Sequence, residues 1–322
     1  MLMEENYRTT KTMWGDKRYH SLDYELKRTY GGKLYKLSIN GGMSCPNRDG
    51  TLDTRGCIFC SEGGSGDFAA AYQSSITDQL EHAKKLVSGK LSGKEDIRYI
   101  AYFQAYTNTY APIDYLERIF TEAIHYPGVA ILSIATRPDC LNREVLALLG
   151  RLNQIKPVWI ELGLQTIHAD TAEFIRRGYS LDIFESAVKQ LHKLGITVIA
   201  HTIIGLPKES KHDMLETMNY IGMLPIQGIK LQLLHVLKGT DLGKLWEEGV
   251  FTDTLTLSEY TELIISCLEV LPGELVIHRI TGDGPKKLLL APLWSADKKH
   301  VLNNIHKEMK LKNTWQGKYY NQ

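Results

Sequence analysis

The chain has 322 residues, of which 43% are hydrophobic and 23% charged, a composition typical of soluble globular proteins that bury a substantial core. It contains no apolar run long enough for a transmembrane helix, and its first residues include acids but no apolar stretch of a secretion signal. The net charge is only +1, and we expect a cytoplasmic protein that does not enter a membrane.

Six apolar, β-rich segments alternate along the chain with longer amphipathic segments. The first predicted strand, at 33–40, is followed by strands at 97–104, 129–137, 158–166, 197–205 and 229–237. Predicted helices lie after them, near 73–89, 112–126, 142–153, 168–177, 181–194 and 209–223. Nearly continuous apolar strands separated by helices indicate a parallel sheet with helical crossovers. The predicted fold is therefore α/β, a partial (β/α)6 barrel.

The last part of the chain adds a seventh predicted strand at 274–282 and a helix near 295–312. We expect these elements to form a C-terminal α/β appendage to the barrel. The corresponding domains are an N-terminal extension at 1–30, the barrel core at 31–245 and a C-terminal extension with a basic helix at 246–322.

Basic residues are concentrated near the C-terminus. Residues 286–322 contain eight lysines and two acidic residues, whereas acidic residues exceed basic ones between 41 and 285. The lysines of the predicted helix include Lys298, Lys299, Lys307 and Lys310. Such a segment can contact the phosphates of nucleic acids, but a solvated helix face commonly has the same composition.

Polar residues follow the predicted strands, at the place where β/α barrels carry their active sites. The first strand leads into Asn40, two glycines and a loop that contains three of the five cysteines. Later strands end near Gln104, Arg137, Gln165, Gly205 and His235. Because parallel strands end at one edge of a sheet, we expect these residues to surround one site.

The three cysteines that crowd into this loop are Cys45, Cys57 and Cys60. Without an export signal, metal or redox chemistry explains them better than disulfides. Structural zinc sites normally have four ligands, whereas a [4Fe–4S] cluster held by three cysteines leaves one iron free. Two alternatives stay open: a zinc site completed by His20 or His82, and a fortuitous group of structural cysteines. Cys140 and Cys267 lie in apolar stretches and are expected in the core.

Seven segments within residues 40–295 carry a family resemblance: CPNRDG, GCIFC, YFQAYTNTYAP, TRPDCL, ELGLQT, IIGLP and TGDGPKKLLLAPLW. The cysteine loop, with Phe59 just before Cys60, resembles the cysteine motif of radical S-adenosylmethionine (SAM) enzymes. Its long spacing resembles the bacterial YtqA/YhcC-type family, which is related to the radical SAM half of the Elongator catalytic subunit. The motifs span most of the chain, and their combination is specific.

This resemblance implies a barrel of the radical SAM type and a [4Fe–4S] cluster on Cys45, Cys57 and Cys60, with SAM at the free iron. It also implies an electron donor such as flavodoxin or ferredoxin. Reductive cleavage of SAM would give methionine and a 5′-deoxyadenosyl radical, which would remove a hydrogen atom from the substrate.

The resemblance further implies a SAM site built from polar residues at the strand ends. Thr107 and Asn108, in the segment that replaces the Gly-Gly-Glu motif of other radical SAM proteins, would offer oxygens to the SAM ammonium group. Gly205 would let the backbone approach the adenine, and Gln165 is expected in the same site. A satisfied polar turn is the structural alternative for Thr107 and Asn108, and an ordinary turn is the alternative for Gly205.

Two charged residues complete the implied SAM site. Glu161 would meet the ribose or amino group of SAM, since an acid within so apolar a strand must be paired. Arg177, with Arg176 as the second choice, would pair with the SAM carboxylate. A buried ion pair is the alternative for Glu161, and a solvated helix end is the alternative for either arginine.

Other polar residues are expected at the barrel mouth, facing the substrate: Arg137, Asp139, Gln165, His201, Lys230, Gln232 and His235. We expect Arg279 and Asp283 to close one side of the site or to contact an anionic substrate.

Because the Elongator subunit modifies wobble uridines, the resemblance implies that the substrate is tRNA. The finer expectation is cleavage of a C–N bond that converts 5-carboxymethylaminomethyl(-2-thio)uridine to 5-aminomethyl(-2-thio)uridine. This step belongs to the pathway leading to 5-methylaminomethyl-2-thiouridine, in which a methyltransferase would act next. Two other functions stay open: a radical SAM enzyme for a small metabolite or peptide, and a non-catalytic zinc or RNA-binding module.

Overall fold

The computed structural model of the chain describes residues 11–64, 75–90, 97–282 and 284–320. The strands of these ranges are β1 Leu34–Ile39, β2 Arg98–Phe103, β3 Val129–Thr136, β4 Val158–Gln165, β5 Thr197–Ile204, β6 Gly228–Leu233, β7 Val236–Leu237, β8 Val276–Arg279 and β9 Leu289–Ala291. Seven of them form one parallel sheet in the order β1-β2-β3-β4-β5-β6-β8, which curls into a partial barrel. The remaining two, β7 and β9, form an antiparallel pair.

Helices connect the strands and pack against the sheet. They are α1 Leu22–Tyr30, α2 Ile76–Val87, α3 Ile113–His125, α4 Arg143–Asn153, α5 Ala169–Phe174, α6 Leu181–Lys193, α7 Lys211–Gly222, α8 Asp241–Glu247, α9 Leu257–Val270 and α10 Lys298–Leu311. Ser210 and Asp213 form a capping box that starts α7, and Thr256 and Glu259 form another at α9. Among the described residues, no helix is both long and apolar enough to cross a membrane.

The predicted α/β fold with a partial barrel is confirmed. The seventh predicted strand lies within the main sheet as β8, where it pairs in parallel with β6, and so extends the barrel. The crossover to β8 includes α9, which the sequence pattern did not reveal. Half of the residues of α9 are buried, so this helix lacks the wide polar face of an amphipathic helix. The domain boundaries at 30 and 245 stay a prediction.

Successive residues of each strand alternate between the outer face of the sheet and the barrel interior. On the outer face they form the main core with the helices, where the rings of Phe103 and Phe120 meet edge to face with centroids 5.0 Å apart. The lowest layer of the interior is also apolar and contains Leu34, Ile100, Ile131, Trp159 and Ile199. Leu26 of α1 packs against this layer, so α1 closes the amino-terminal end of the barrel.

Two residues further along, the same strands turn polar inside the barrel. We call this level the ionic layer; it consists of Lys36, Tyr102, Ser133, Glu161, His201 and Lys230. An apolar layer lies beneath it. The ionic layer therefore forms the floor of the barrel interior on the side of the carboxyl ends of the strands.

Candidate active site

A cavity lies above the ionic layer, at the carboxyl ends of the strands. The loop between β1 and α2 contributes Cys45, Cys57 and Cys60 to its lining. Segments that follow β2, β3 and β4 contribute Thr107, Arg137 and Arg177. The sequence-predicted polar strand ends are therefore largely brought together in one place, which we call the strand-end cavity.

Backbone hydrogen bonds hold the cysteine loop in tight turns. The carbonyl of Cys45 accepts from the N–H groups of Arg48 and Asp49 at 2.8 and 3.2 Å, and the N–H of Cys60 donates to the carbonyl of Cys57 at 3.0 Å. The three thiols are half-buried and none forms a disulfide. Burial and the neighbouring sulfur of Cys60 raise the pKa of Cys57 to about 12. A thiolate therefore forms readily here only beside a positive charge such as a metal ion.

The segment after α5 braces the cysteine loop. Asn47 donates from Nδ2 to the carbonyl of Arg176 at 2.6 Å. Arg176 in turn donates from Nε to the carbonyl of Gly56 at 2.8 Å and from Nη2 to Asp241 Oδ2 at 2.6 Å. These contacts engage the Arg176 guanidinium in holding the loop. Its role as the second choice for the SAM carboxylate stays a prediction.

The positions of the cysteine sulfurs favour a cluster over a single zinc ion. Zn–S bonds of about 2.3 Å allow at most about 4.6 Å between two sulfurs on one ion. The three sulfurs are not all within 4.8 Å of one another. His82 is exposed on α2, and His20 stacks on Trp14 and bonds Glu25 of α1 at 2.9 Å. Neither histidine is placed to complete a zinc site, and the donor set fits an iron–sulfur cluster.

The segment after β2 closes over the cysteine loop. The N–H of Tyr106 donates to the carbonyl of Gly64 at 2.9 Å, and the N–H of Thr107 donates to that of Ser44 at 3.2 Å. Arg48 adds bonds from Nη2 to the carbonyls of Cys60 and Ser61, at 2.9 and 2.7 Å. Thr107 thus lies in the cavity wall, directly against the loop that carries the thiols.

Two arginines flank one tyrosine in the cavity wall. The Arg137 and Arg177 guanidinium carbons are each 4.9 Å from the Tyr179 ring centroid. Asp139 holds Arg137 through two bonds, at 2.9 and 2.7 Å, and does not itself line the cavity. Asp139 therefore orients Arg137 rather than facing a substrate as expected.

Arg177 is buried but still lines the cavity. Its Nη1 donates to the carbonyls of Leu164 and Thr166 at 3.0 and 2.6 Å, and its Nε donates to that of Tyr179 at 3.0 Å. Burial and the nearby charge of Arg137 lower the pKa of Arg177. A second cation this close favours an anion between them, so contact with the SAM carboxylate stays a prediction that this placement permits.

Glu161 is the centre of the ionic layer and is 1% exposed. Its Oε1 accepts from Lys36 Nζ at 3.0 Å and from Ser133 Oγ at 3.1 Å. Its Oε2 accepts from Tyr102, from His201 at 2.8 Å, and from Lys230. Burial alone would raise the pKa of this carboxyl, but the two lysines and the histidine hold it well below its usual range. Five donors of the chain thus cover both oxygens in a buried ion network, and the expected contact of Glu161 with SAM stays a prediction.

Three further expected positions have different outcomes. Gln165 lines the cavity and accepts from the Tyr179 hydroxyl at 3.2 Å. Asn108 is fully buried outside the lining, where its Nδ2 donates to the carbonyl of Ala135 at 2.9 Å. Gly205, with φ of 87°, is also outside the lining, and a Cβ there would meet Leu255 at 3.1 Å. Neither Asn108 nor Gly205 is among the described residues that line the cavity, and their expected roles toward SAM stay predictions.

Most of the expected substrate-facing residues do line the cavity: His201, Lys230, Gln232, His235 and Arg279. Asp283 lies outside the described residues. Cys267 is in the core as expected, whereas Cys140 is half-buried, with its sulfur 3.8 Å from Asp139 Oδ1. Cys140 ends the turn after β3 and is therefore held at the edge of the core.

Sequence reasoning missed several lining residues, among them Arg48, Tyr102, Tyr106 and Tyr179. The spacing along the strand could have identified Tyr102. It lies two residues after a buried residue that faces the barrel interior, and the same holds for Glu161 and Lys230. Aligning the interior positions of the strands would have found the ionic layer.

Comparison with known proteins agrees with this geometry. Residues 54–221 match the family model described as "Radical SAM superfamily", and residues 226–311 match the "Radical_SAM C-terminal domain". Protein YtqA of Bacillus subtilis is 43% identical over 305 residues, which cover 95% of this chain and 94% of that protein. Protein YhcC of Escherichia coli is 38% identical over 271 residues, which cover 84% of this chain and 85% of that protein.

More distant similarity extends to Elongator proteins. Human Elongator complex protein 3 is 26% identical over 186 residues, which cover 56% of this chain and 32% of that protein. The structure of Elp3 from the archaeon Methanocaldococcus infernus superposes with a TM-score of 0.65 at 17% identity, covering 88% of this chain. This chain spans 64% of that structure, and the superposition shows a shared fold.

Proposed function

Because this chain belongs to the radical SAM superfamily, we propose that it is a tRNA-modifying enzyme acting at the wobble uridine. It is an enzyme that uses a [4Fe–4S] cluster and SAM. The proposed reaction converts 5-carboxymethylaminomethyl(-2-thio)uridine to 5-aminomethyl(-2-thio)uridine by cleavage of a C–N bond. The carboxymethyl carbon loses a hydrogen atom and one electron, water hydrolyses the resulting imine, and the two carbons leave as glyoxylate. SAM is the two-electron oxidant in this balance and ends as methionine and 5′-deoxyadenosine. Flavodoxin or ferredoxin would supply the electron, and a methyltransferase would act on the product.

The main support for tRNA as the substrate is the similarity to Elongator complex protein 3 across more than half of this chain. The surface of α10 is compatible with it. One side of this helix is buried and consists of Val301, Ile305 and Met309. Lys307 and Lys310 are exposed. Exposed lysines on one helix suit the phosphates of a nucleic acid.

The residues of the chain have distinct tasks in this proposal. Cys45, Cys57 and Cys60 would hold the cluster, and Arg177, buried in the cavity wall, would bind an anionic part of SAM. When bound, the cluster and SAM supply a radical that removes a hydrogen atom from the carboxymethyl carbon of the uridine. The chain orients that carbon and excludes water, because the cavity floor is closed by the ionic layer and the apolar layer beneath it.

The test is an anaerobic assay of the reconstituted enzyme with SAM, dithionite and bulk tRNA from a strain that lacks this gene. We expect 5′-deoxyadenosine, loss of 5-carboxymethylaminomethyl nucleosides and gain of 5-aminomethyl nucleosides in digested tRNA, measured by mass spectrometry. A variant with Cys45, Cys57 and Cys60 all changed to Ala serves as the control without a cluster.

The outcomes separate the alternatives. 5′-Deoxyadenosine formation that tRNA does not stimulate, with unchanged nucleosides, would favour a small metabolite or peptide as the substrate. Zinc instead of iron after anaerobic purification would favour the non-catalytic module. Unchanged levels of 5-carboxymethylaminomethyl nucleosides in the deletion strain would overturn the proposed reaction.

A further inference from the structure

A line of exposed side chains runs along α10. It consists of Lys299, Asn303, Lys307 and Lys310, and we call it the lysine stripe. At about 100° per residue, the four positions fall within an arc of about 80° around the helix axis. The opposite side of α10 is buried against the protein. The stripe therefore faces solvent as one surface.

Positive charge dominates the lysine stripe. Glu308 is the one acid in α10, and it points about 100° away from the nearest lysine of the stripe around the helix axis. Beside Lys310, the charges of Asp16 and Lys17 act on the same side chain, His306, in opposite directions and so offset each other. The stripe consequently fits a partner whose negative charge extends along a line.

The stripe offers point charges and no platform for stacking. None of its four side chains is aromatic, whereas proteins that bind single-stranded nucleic acids stack the bases on aromatic rings. Lysine is a compact cation that contacts phosphates without reading a base, and the amide of Asn303 can bond a 2′-hydroxyl. RNA duplexes are recognised in this way, through phosphates and 2′-hydroxyls. The chemistry of the stripe therefore favours an RNA stem over a single strand.

The direction of α10 relates the stripe to the active site. Just before the helix, Trp294 Nε1 donates to the carbonyl of Leu255 at 3.0 Å, and Leu255 lies beside Gly205, which follows β5 at the carboxyl ends of the strands. Just after the helix, Gln316 Nε2 donates to the carbonyl of Leu275 at 2.8 Å, immediately before β8 begins. The helix therefore runs from the carboxyl ends of the strands toward their amino ends.

Lys299 marks the end of the stripe that is level with the strand-end cavity. Lys310 lies eleven residues further along, which corresponds to about 16 Å at about 1.5 Å per residue. A straight duplex bound along the stripe would therefore point one of its ends toward the mouth of the cavity.

We propose that the lysine stripe binds the anticodon stem of the tRNA, with the loop end of the stem at Lys299. This occupant rests on the proposed function, in which the reacting nucleotide is the wobble uridine. The wobble nucleotide lies in the loop that closes the anticodon stem, so this orientation brings it to the mouth of the cavity. Extrusion of the base from the loop then lets it enter the cavity. Because phosphate contacts carry no sequence information, the stripe accepts stems of different sequence.

The first test is binding of RNA hairpins to the reconstituted enzyme, measured anaerobically by gel shift with SAM present. One hairpin has the sequence of the anticodon arm of a tRNA with a wobble uridine, and a second exchanges the two strands of the stem. A third RNA has the same length and loop but a stem that cannot pair. We expect equal affinity for the two hairpins and at least about four-fold weaker binding of the unpaired RNA. Equal affinity for all three RNAs would overturn the assignment of a duplex.

The second test locates the two ends of the stem. A shortened hairpin keeps the loop and the base pairs next to it but lacks the far half of the stem. Lys299→Gln should weaken binding of both the full and the shortened hairpin, whereas Lys310→Gln should weaken binding of the full hairpin alone. Each lost contact should make the slope of log K against log salt shallower by about one. An equal effect of Lys310→Gln on both hairpins would overturn the proposed orientation.

The two lysines are exposed, so neither change disturbs the buried side of α10. Iron content and thermal unfolding show whether each variant is folded. Lys189→Gln on α6 changes another exposed lysine and is the matched control, which should bind every RNA as the wild type does. A loss of hairpin binding in Lys189→Gln equal to that in Lys299→Gln would show a general effect of charge and would overturn the stripe as the docking surface.

The outcomes separate this inference from the proposed function. Stem-dependent binding through both lysines, with unchanged 5-carboxymethylaminomethyl nucleosides after incubation with tRNA, would support the docking surface and overturn the proposed reaction. Conversion of tRNA with unchanged KM in the double variant Lys299→Gln, Lys310→Gln would overturn the docking surface and leave the proposed function standing.

Discussion

Lys36 Nζ lies 3.0 Å from Glu161 Oε1, although 125 positions separate the two residues in the chain. Lys36 belongs to β1 and Glu161 to β4, and β2 and β3 lie between them in the sheet. The contact therefore crosses the inside of the curled sheet, and it can form only when the sheet curls. In this protein the curvature of the barrel and the charge balance of its floor depend on each other.

Glu161→Gln should strongly destabilise the fold. The amide keeps the shape of the side chain but removes the negative charge that Lys36 and Lys230 share. Breaking a buried ion pair from one side typically costs about 3–5 kcal/mol. Denaturant unfolding under anaerobic conditions measures the loss. As a control, Glu117→Gln breaks an exposed pair with Arg151 and should cost less than about 1 kcal/mol. A similar small loss for Glu161→Gln would show that the network does not hold the barrel.

Stability should fall on acidification from about pH 6.5 toward pH 4, partly because of His201. Burial, with the charges of Lys230 and Arg279, lowers the pKa of His201 to about 4, although Glu161 acts in the opposite direction. Between pH 4 and the ordinary histidine pKa of about 6.5, the unfolded chain binds a proton that the folded protein does not. Protonation therefore favours the unfolded state in this window.

His201→Gln tests this contribution. We expect a shallower decrease of the unfolding free energy between pH 6.5 and 4 than in the wild type, measured by denaturant titration at each pH. The matched control is His212→Gln, since His212 is exposed on α7. Equal slopes in the wild type and His201→Gln would exclude His201 as a source of acid sensitivity.

Cluster assembly should depend on three cysteines and on no other. Cys45, Cys57 and Cys60 line the strand-end cavity, whereas Cys140 and Cys267 do not. Single changes to Ala at the first three should abolish a stable cluster, measured as iron and sulfide per chain after reconstitution. Cys140→Ala and Cys267→Ala should keep the wild-type content. A full cluster in any of the first three variants would mean that another residue serves as a ligand.

The sequence predicts the strands well because their outward residues, such as Leu37 and Phe103, are apolar and fully buried. It also indicates the metal chemistry, because thiols seldom crowd together for packing alone. It does not reveal the ionic layer, since Lys36, Glu161 and Lys230 lie far apart in the chain and meet only through the register of the sheet.

Loop positions were the least predictable part of the site. Asn108 and Gly205 lie in segments that resemble SAM-binding motifs, yet neither is among the described residues that line the cavity. Tyr179 lies in the cavity wall between Arg137 and Arg177 only because the chain turns back after α5. Such turns depend on tertiary contacts that no periodic pattern encodes.

Gly64→Ala should disturb the cysteine loop. Gly64 has φ of 59°, and a Cβ there would lie 2.2 Å from Tyr106 Cδ1. The Tyr106 ring cannot easily move, because its hydroxyl donates to the carbonyl of Glu62. We expect a loss of more than about 2 kcal/mol in unfolding free energy and a lower iron content.

Gly31→Ala is the control. Gly31 has φ of 72°, but a Cβ there would have nothing within 4 Å. This change should cost about 1 kcal/mol in unfolding free energy without loss of iron. Equal effects of the two changes would show that Tyr106 does not brace the loop.

Charge reversal on α10 should weaken tRNA binding if the proposed substrate is correct. Lys299, Lys307 and Lys310 are exposed, while the packing of α10 depends on Val301, Ile305 and Met309, so the triple Lys→Glu variant should stay folded. Each lost phosphate contact lowers the slope of log K against log salt by about one. Gel-shift titrations with bulk tRNA at several KCl concentrations should therefore show weaker binding and a shallower salt dependence. Lys189→Glu on α6, also exposed, is the control for a charge reversal elsewhere on the surface and should alter binding much less. Formation of 5′-deoxyadenosine without tRNA should be the same in the wild type, the triple variant and Lys189→Glu. Unchanged affinity and salt slope in the triple variant would show that tRNA contacts another surface.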